Sequence, residues 1–144
     1  MTQIPTYAFY ACRGLTEVVI PNSVQTIEYG AFYYCTALTS VRIEEVVQTI
    51  GDNAFGECMG LTEVTIGSGV QTIGNYAFAG CEGVCKITSL AMTAPGIQSG
   101  TFYYVKSGGI LYVPAGATGY DTWMATGNYY LGKFGWTKQE ITSE

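Results

Sequence analysis

The sequence predicts a repeat solenoid of mixed α/β type, in which 23-residue coils stack so that each contributes a short parallel strand and a short helical turn, with a cap at the C-terminal end. Three observations predict it. Cys12, Cys35, Cys58 and Cys81 stand 23 residues apart, and Phe9, Phe32, Phe55 and Phe78 keep the same step. Four aliphatic or small columns repeat with them: Ile4/Ile27/Ile50/Ile73, Ala8/Ala31/Ala54/Ala77, Leu15/Leu38/Leu61/Val84 and Val18/Val41/Val64/Ile87. From Ala115 the columns stop and large apolar residues crowd together.

Each element follows from its spacing. Met1 to Ile4 falls in phase with Val24 to Ile27. The first coil is therefore expected to start in mid-repeat without a cap, either as the C-terminal piece of a longer array or as an end that associates with another copy. In the unit that follows, Val18 and Ile20 show the period-2 spacing of a strand. Val24 and Ile27 turn inward next. Ala31-Phe32-x-x-Cys35 places Phe and Cys three apart, on one face of a helical turn. One coil cannot bury these side chains, but identical coils stacked about 5 Å apart can. Small Ala beside Phe suits that close approach.

A fifth, divergent unit carries Ile97, Phe102, Val105, Leu111, Val113 and Pro114 after a one-residue insertion. The insertion is expected as a bulge near Thr88-Ser89, bringing Leu90 into the inward column of Ile20. In the cap, Tyr120, Trp123 and Met124 have the i, i+3, i+4 spacing of an amphipathic helical segment. Tyr129, Tyr130, Leu131, Phe134, Trp136 and Ile141 add apolar mass over the last open coil. The expected division is a solenoid over residues 1–114 and a cap over 115–144.

Composition narrows the function. The chain has 144 residues, 48% hydrophobic and 12% charged, which suits one folded domain. No apolar run approaches the ~20 residues of a membrane-spanning helix, so membrane insertion is not expected. The net charge is −5, and the six Lys and Arg are scattered from Arg13 to Lys138. Nucleic-acid binding, which needs clustered cations, is not expected either. Neither a signal sequence after Met1 nor a sorting motif after Ile141 is visible, so any such segment is expected outside this chain.

The repeat resembles the BspA-like, or Treponema-type, leucine-rich repeats. Their mark is a short apolar strand followed by an Ile-Gly-x-x-Ala-Phe-x-x-Cys run. Here the run reads Ile50-Gly51-Asp52-Asn53-Ala54-Phe55-Gly56-Glu57-Cys58, and again Ile73-Gly74-Asn75-Tyr76-Ala77-Phe78-Ala79-Gly80-Cys81. The ending is also similar, from Ile87-Thr88-Ser89-Leu90 through Ala94-Pro95 and Tyr112-Val113-Pro114-Ala115-Gly116 to Tyr120 and Trp136. Glu28 and Pro5 replace the Gly of the run, so that column does not demand a left-handed backbone. Ser23, Val46 and Gly69 stand where general leucine-rich repeats carry Asn or Cys, so no buried Asn ladder is expected. The resemblance implies an α/β-type leucine-rich-repeat fold and a cell-surface or secreted bacterial protein, or one from a parasite sharing that niche. It implies adhesion, through binding to a host matrix protein or to a neighbouring cell's surface protein.

Catalytic chemistry finds little support in the residues. There is no His, which removes the commonest general base and the Ser-His and Cys-His nucleophile systems. Glu17 and Glu63 align two coils apart, about 10 Å on an open face, with nothing to desolvate them. Asp52 and Asp121 lack the spacing of a calcium loop. The singleton cysteines lack the paired spacing of a metal site and read as small buried hydrophobes. Cys85, aligned with Thr16, points away from the core and is expected to be the most reactive thiol. No cofactor and no metal are expected.

Two surfaces remain as candidates for binding a partner. The strand face carries Glu17, Val19, Ser40, Arg42, Glu63, Thr65 and Lys86 in outward positions, continued by Thr88. Such a laterally extended face suits a protein partner, although an idle surface has the same composition. An aromatic edge is expected from Tyr10, Tyr33, Tyr34, Tyr103 and Tyr104, which follow the core Phe and should face outward. Exposed Tyr suits recognition, of a glycan as well as a protein, but Gly56, Glu57, Ala79 and Gly80 interrupt the column, which favours packing of the rings between coils. The reading is a non-catalytic binding module, with a structural spacer or a glycan-binding domain as its alternatives.

Overall fold

From Gln3 to Ser89, strand residues one repeat apart pair with each other in the computed structural model, which describes residues 2–141. Met1, where the mid-repeat phase was expected to begin, and residues 142–144 of the expected cap lie outside the described residues. The chain runs β1 (Gln3–Ile4), β2 (Glu17–Ile20), β3 (Thr26–Ile27), β4 (Ser40–Ile43), β5 (Thr49–Ile50), β6 (Glu63–Ile66), β7 (Thr72–Ile73), β8 (Lys86–Ser89), β9 (Ile110–Val113) and β10 (Thr137–Glu140).

The longer strands form one six-stranded parallel sheet in the order β10-β9-β8-β6-β4-β2. Its register follows the repeat: Val18 pairs with Val41 and Val41 with Val64, while Ile20 pairs with Ile43 and Ile43 with Ile66. The two-residue strands form a second parallel sheet, β1-β3-β5-β7, that buries Ile4, Ile27, Ile50 and Ile73. The Thr-Ile pairs that build it are too short to show a strand period, which is why the sequence marks only an inward turn there.

The third side of each coil differs from the expected helical turn. In the second coil the N–H groups of Ala31, Tyr33 and Cys35 donate to Glu28, Gly30 and Phe32 carbonyls within the coil, at 3.3, 3.0 and 3.3 Å. The alternate N–H groups, of Gly30, Phe32 and Tyr34, donate to Asp52, Ala54 and Gly56 of the next coil at 3.0, 2.8 and 3.0 Å. With half its donors committed between coils, the segment cannot build an α-helical ladder. It is a run of tight turns that still points Phe and Cys inward. Two columns of this run are left-handed: Tyr7, Gly30, Asn53 and Tyr76, and Ala11, Tyr34, Glu57 and Gly80.

Inside, the Phe rings stack almost parallel. Phe9–Phe32, Phe32–Phe55, Phe55–Phe78 and Phe78–Phe102 centroids lie 5.1, 5.1, 5.5 and 6.0 Å apart. Trp123 closes the column, 5.5 Å from Phe102. At the other end Phe9 is 41% exposed, beside a hollow lined by Ile4, Leu15, Val18 and Val24.

Two expectations about the C-terminal part are corrected. The insertion does not lie at Thr88-Ser89. Ser89 pairs with Ile66, so Ser89, not Leu90, takes the inward column of Ile20. The Leu90 N–H still follows the unshifted register, donating to the Ile66 carbonyl, whereas Gly96 pairs with Thr72, one residue out of step. The extra residue therefore falls within 91–95. A buried Ser is tolerated because the Tyr120 hydroxyl reaches it from the cap at 2.7 Å. The stretch around Tyr120, Trp123 and Met124 forms turns rather than an amphipathic helix. Its side chains are held by long-range bonds instead: Trp123 Nε1 donates to the Pro95 carbonyl at 3.0 Å and Trp136 Nε1 to that of Lys106 at 2.7 Å. Among the described residues the one helix is a 3-10 turn, Leu131–Phe134. After it, β10 adds a sixth strand to the main sheet.

Candidate interaction surfaces

On the main sheet, strand alternation turns Val18, Ile20 and their repeats inward and leaves two outward rows. One row reads Glu17, Ser40, Glu63, Lys86, Ile110, Thr137; the other reads Val19, Arg42, Thr65, Thr88, Tyr112, Gln139. All seven strand-face residues singled out in the sequence thus share one surface. Glu17, Val19, Arg42, Glu63 and Lys86 are exposed, whereas Ser40 and Thr65 are half-buried among their neighbours. The last two columns escaped sequence reasoning. Ile110 and Tyr112 lie beyond the insertion, and β10 has no repeat to announce it.

The charges on this face are mixed and loosely held. Arg42 Nε donates to Glu44 Oε2 at 2.9 Å, a partly exposed pair worth no more than about 1 kcal/mol. The Lys86 ammonium lies 5.5 Å from the Tyr112 ring centroid. Where the chain enters the sheet, Thr39 and Thr62 hydroxyls donate to the carbonyls of Thr16 and Thr39, at 3.0 and 3.1 Å. Cys85 occupies the same row, its thiol 3.6 Å from the Thr62 carbonyl, and is exposed as its alignment with Thr16 predicts.

The aromatic residues lie on the turn segments instead. Tyr10, Tyr34 and Tyr104 are exposed, and Tyr33 and Tyr103 are half-buried. They do not form one stripe. Tyr10, Tyr33 and Tyr34 join Tyr7 and Tyr29 in a first cluster, with Tyr7–Tyr29 at 5.5 Å and Tyr33–Tyr34 at 4.6 Å. Tyr103 and Tyr104 join Tyr76 and Tyr129 in a second, with Tyr103–Tyr129 at 4.3 Å. Gly56, Glu57, Ala79 and Gly80 separate the two. Tyr7 and Tyr76 were legible in principle, since both fall in one 23-step column with Gly30 and Asn53. Tyr129 was not, because it comes from the cap. Burial first, then the neighbouring Tyr34 and Glu57, pushes the Tyr33 phenol above its ordinary pKa.

The cysteine column is buried, but its role is more than apolar. The thiols of Cys35, Cys58 and Cys81 donate to the carbonyls of Phe9, Phe32 and Phe55, one coil back, at 3.1, 3.2 and 3.2 Å. Burial pushes the Cys58 thiol pKa up to about 12, and it also holds Cys81 well above the usual thiol range. All five cysteines are free thiols. Among the described residues no group of three or more His, Cys, Asp or Glu is placed to hold a metal ion.

Comparison with known proteins supplies the relationships. A family model described as the BspA type leucine rich repeat region, in six copies, matches residues 2–118. Nothing among curated proteins matches the chain. Among solved structures, a leucine-rich repeat protein of T. pallidum is similar at 27% identity and a TM-score of 0.44, over 61% of this chain. The matched part spans about half of that protein, 52% of its length.

Proposed function

The chain belongs to the BspA-type leucine-rich repeat family, and from that membership we propose a non-catalytic protein-binding module of a surface or secreted bacterial protein, which adheres through its strand face. The observation that carries the reading is the continuity of that face. Six parallel strands present two unbroken outward rows, and Val19, at 62% exposure, sits among charged neighbours on it. Leucine-rich repeats are interaction modules, and a solenoid binds through a laterally repeated surface of this kind. The absence of His from the sequence and the open setting of Glu17 and Glu63 support a non-catalytic role. Among the described residues no helix is long and apolar enough to cross a membrane.

The test is direct binding to immobilised host matrix proteins and to a glycan panel, repeated with the Arg42→Ala/Lys86→Ala double variant. Saturable protein binding that this variant loses supports the strand-face adhesin. Binding that persists unchanged, or a glycan as the only ligand, refutes it. No binding at high micromolar concentration favours a structural spacer.

A further inference from the structure

The first tyrosine cluster borders an open hollow lined by Tyr7, Tyr10 and Tyr33. Tyr7 and Tyr10 meet edge to face at 5.4 Å and 76°, and Tyr10 and Tyr33 are tilted by 48° at 6.0 Å. Two glycines seat the outer rings. A Cβ on Gly30 would lie 2.7 Å from the Tyr7 ring, and one on Gly56 would lie 2.9 Å from the Tyr33 ring. The rings therefore rest directly on backbone, which limits their freedom before any ligand arrives. Tyr7 also holds a left-handed backbone, φ 58°, as Gly30, Asn53 and Tyr76 do in the same column.

We propose that this hollow is a socket for an arginine side chain presented by a partner protein. Aromatic faces attract cations through their quadrupoles, and the planar guanidinium stacks on them with a smaller desolvation cost than an ammonium. The nearest fixed charge has the complementary sign: Glu57 follows Gly56, on which the Tyr33 ring rests, with its carboxylate against Gly80 of the next coil, and the whole chain carries −5. Among the described residues Glu57 forms no ion pair that would cancel it. The second cluster shows the same chemistry satisfied from within, because the Lys133 ammonium lies 5.9 Å from the Tyr129 ring centroid. Among the described residues no cation of the chain stacks on Tyr7, Tyr10 or Tyr33 in this way. A sugar fits less well. It prefers one flat ring flanked by polar side chains, whereas these rings are mutually inclined and line the hollow by themselves.

The socket is independent of the strand-face reading, since it lies on the turn segments. It is tested by NMR of the full chain with 13C-labelled tyrosine, titrated with N-acetyl-arginine amide, the uncharged N-acetyl-citrulline amide and tetramethylammonium. The expected result is saturable movement of the Tyr7, Tyr10 and Tyr33 ring signals by the arginine probe, and roughly tenfold weaker binding of citrulline. Tyr10→Phe should retain binding, Tyr10→Ala should abolish it, and Glu57→Gln should weaken it. Equal shifts from citrulline, a response to tetramethylammonium alone, or indifference to both Tyr10→Ala and Glu57→Gln overturn the proposal. Should Tyr10→Ala lose amide dispersion and so fail to fold, Glu57→Gln decides. Failure here leaves matrix binding by the strand face untouched, and the converse holds.

Discussion

The hydroxyls of Ser89 and Tyr120 meet at 2.7 Å in the interior, and the Tyr120 O–H continues to the Ala91 carbonyl at 2.8 Å. Since Tyr120 spends its proton on Ala91, Ser89 is the donor of the first bond. This chain ties the last regular strand to the cap across a column that elsewhere holds Ile20, Ile43 and Ile66. Tyr120→Phe should strand both the Ser89 hydroxyl and the Ala91 carbonyl and cost about 1–3 kcal/mol in urea unfolding. Ser89→Ala combined with Tyr120→Phe should cost clearly less than the sum of the two singles. Strict additivity would mean that the two hydroxyls do not interact.

Phe55 lies midway along the ring column, fully buried between Phe32 and Phe78. Phe55→Ala should destabilise by about 3–5 kcal/mol, the cost of an unfilled core slot. Because coils touch only adjacent coils, hydrogen exchange should quicken most in the segments around Phe32, Phe55 and Phe78. Equal loss of protection from β2 to β10 would contradict this locality.

Thiol chemistry should follow burial. At mildly alkaline pH a maleimide should label Cys85 first and half-buried Cys12 next, with Cys35, Cys58 and Cys81 reacting only on unfolding. Mass spectrometry of the labelled peptides measures the order, and equal labelling of all five would refute it. The raised thiol pKa values also set a pH dependence. In the folded state Cys58 keeps its proton up to about 12, while the unfolded thiol gives its proton up sooner. The folded chain then holds more protons than the unfolded one in this window, so stability should fall as pH rises from the ordinary thiol range toward 12. Cys58→Ala should flatten that slope.

Arg42→Ala and Lys86→Ala should each change stability by no more than about 1 kcal/mol, as both side chains are exposed and their contacts are solvated. Thermal unfolding followed by circular dichroism checks this. A larger loss would show that the strand face is needed for folding, and would make the binding test of that double variant uninformative about contact.

The repeat columns made the solenoid legible, and the same arithmetic identified the inward Phe, Cys, Val and Ile and the outward strand rows. It was less informative for the turn side, where Phe32 and Cys35 three apart read as helical. Spacing reports which side chains share a face, not whether the Phe32 N–H bonds within its coil or to Ala54. Tyr10, Tyr33 and Tyr34 were likewise visible as outward positions, while their gathering around Tyr7 and Tyr29 was not. Rings of different columns meet only when adjacent coils are in place.

From the sequence alone come the 23-residue coil, its inward residues and the absence of His, because an unvaried stack must bury the same positions at every step. The tertiary structure decided the paths of the backbone N–H groups, the second sheet, the site of the insertion and the division of the tyrosines into two clusters. Each of these depends on what the neighbouring coil or the cap presents. Ser89 shows the difference: in the sequence it is a polar residue beside a register shift, and the Tyr120 hydroxyl, 31 residues away, makes it a core residue.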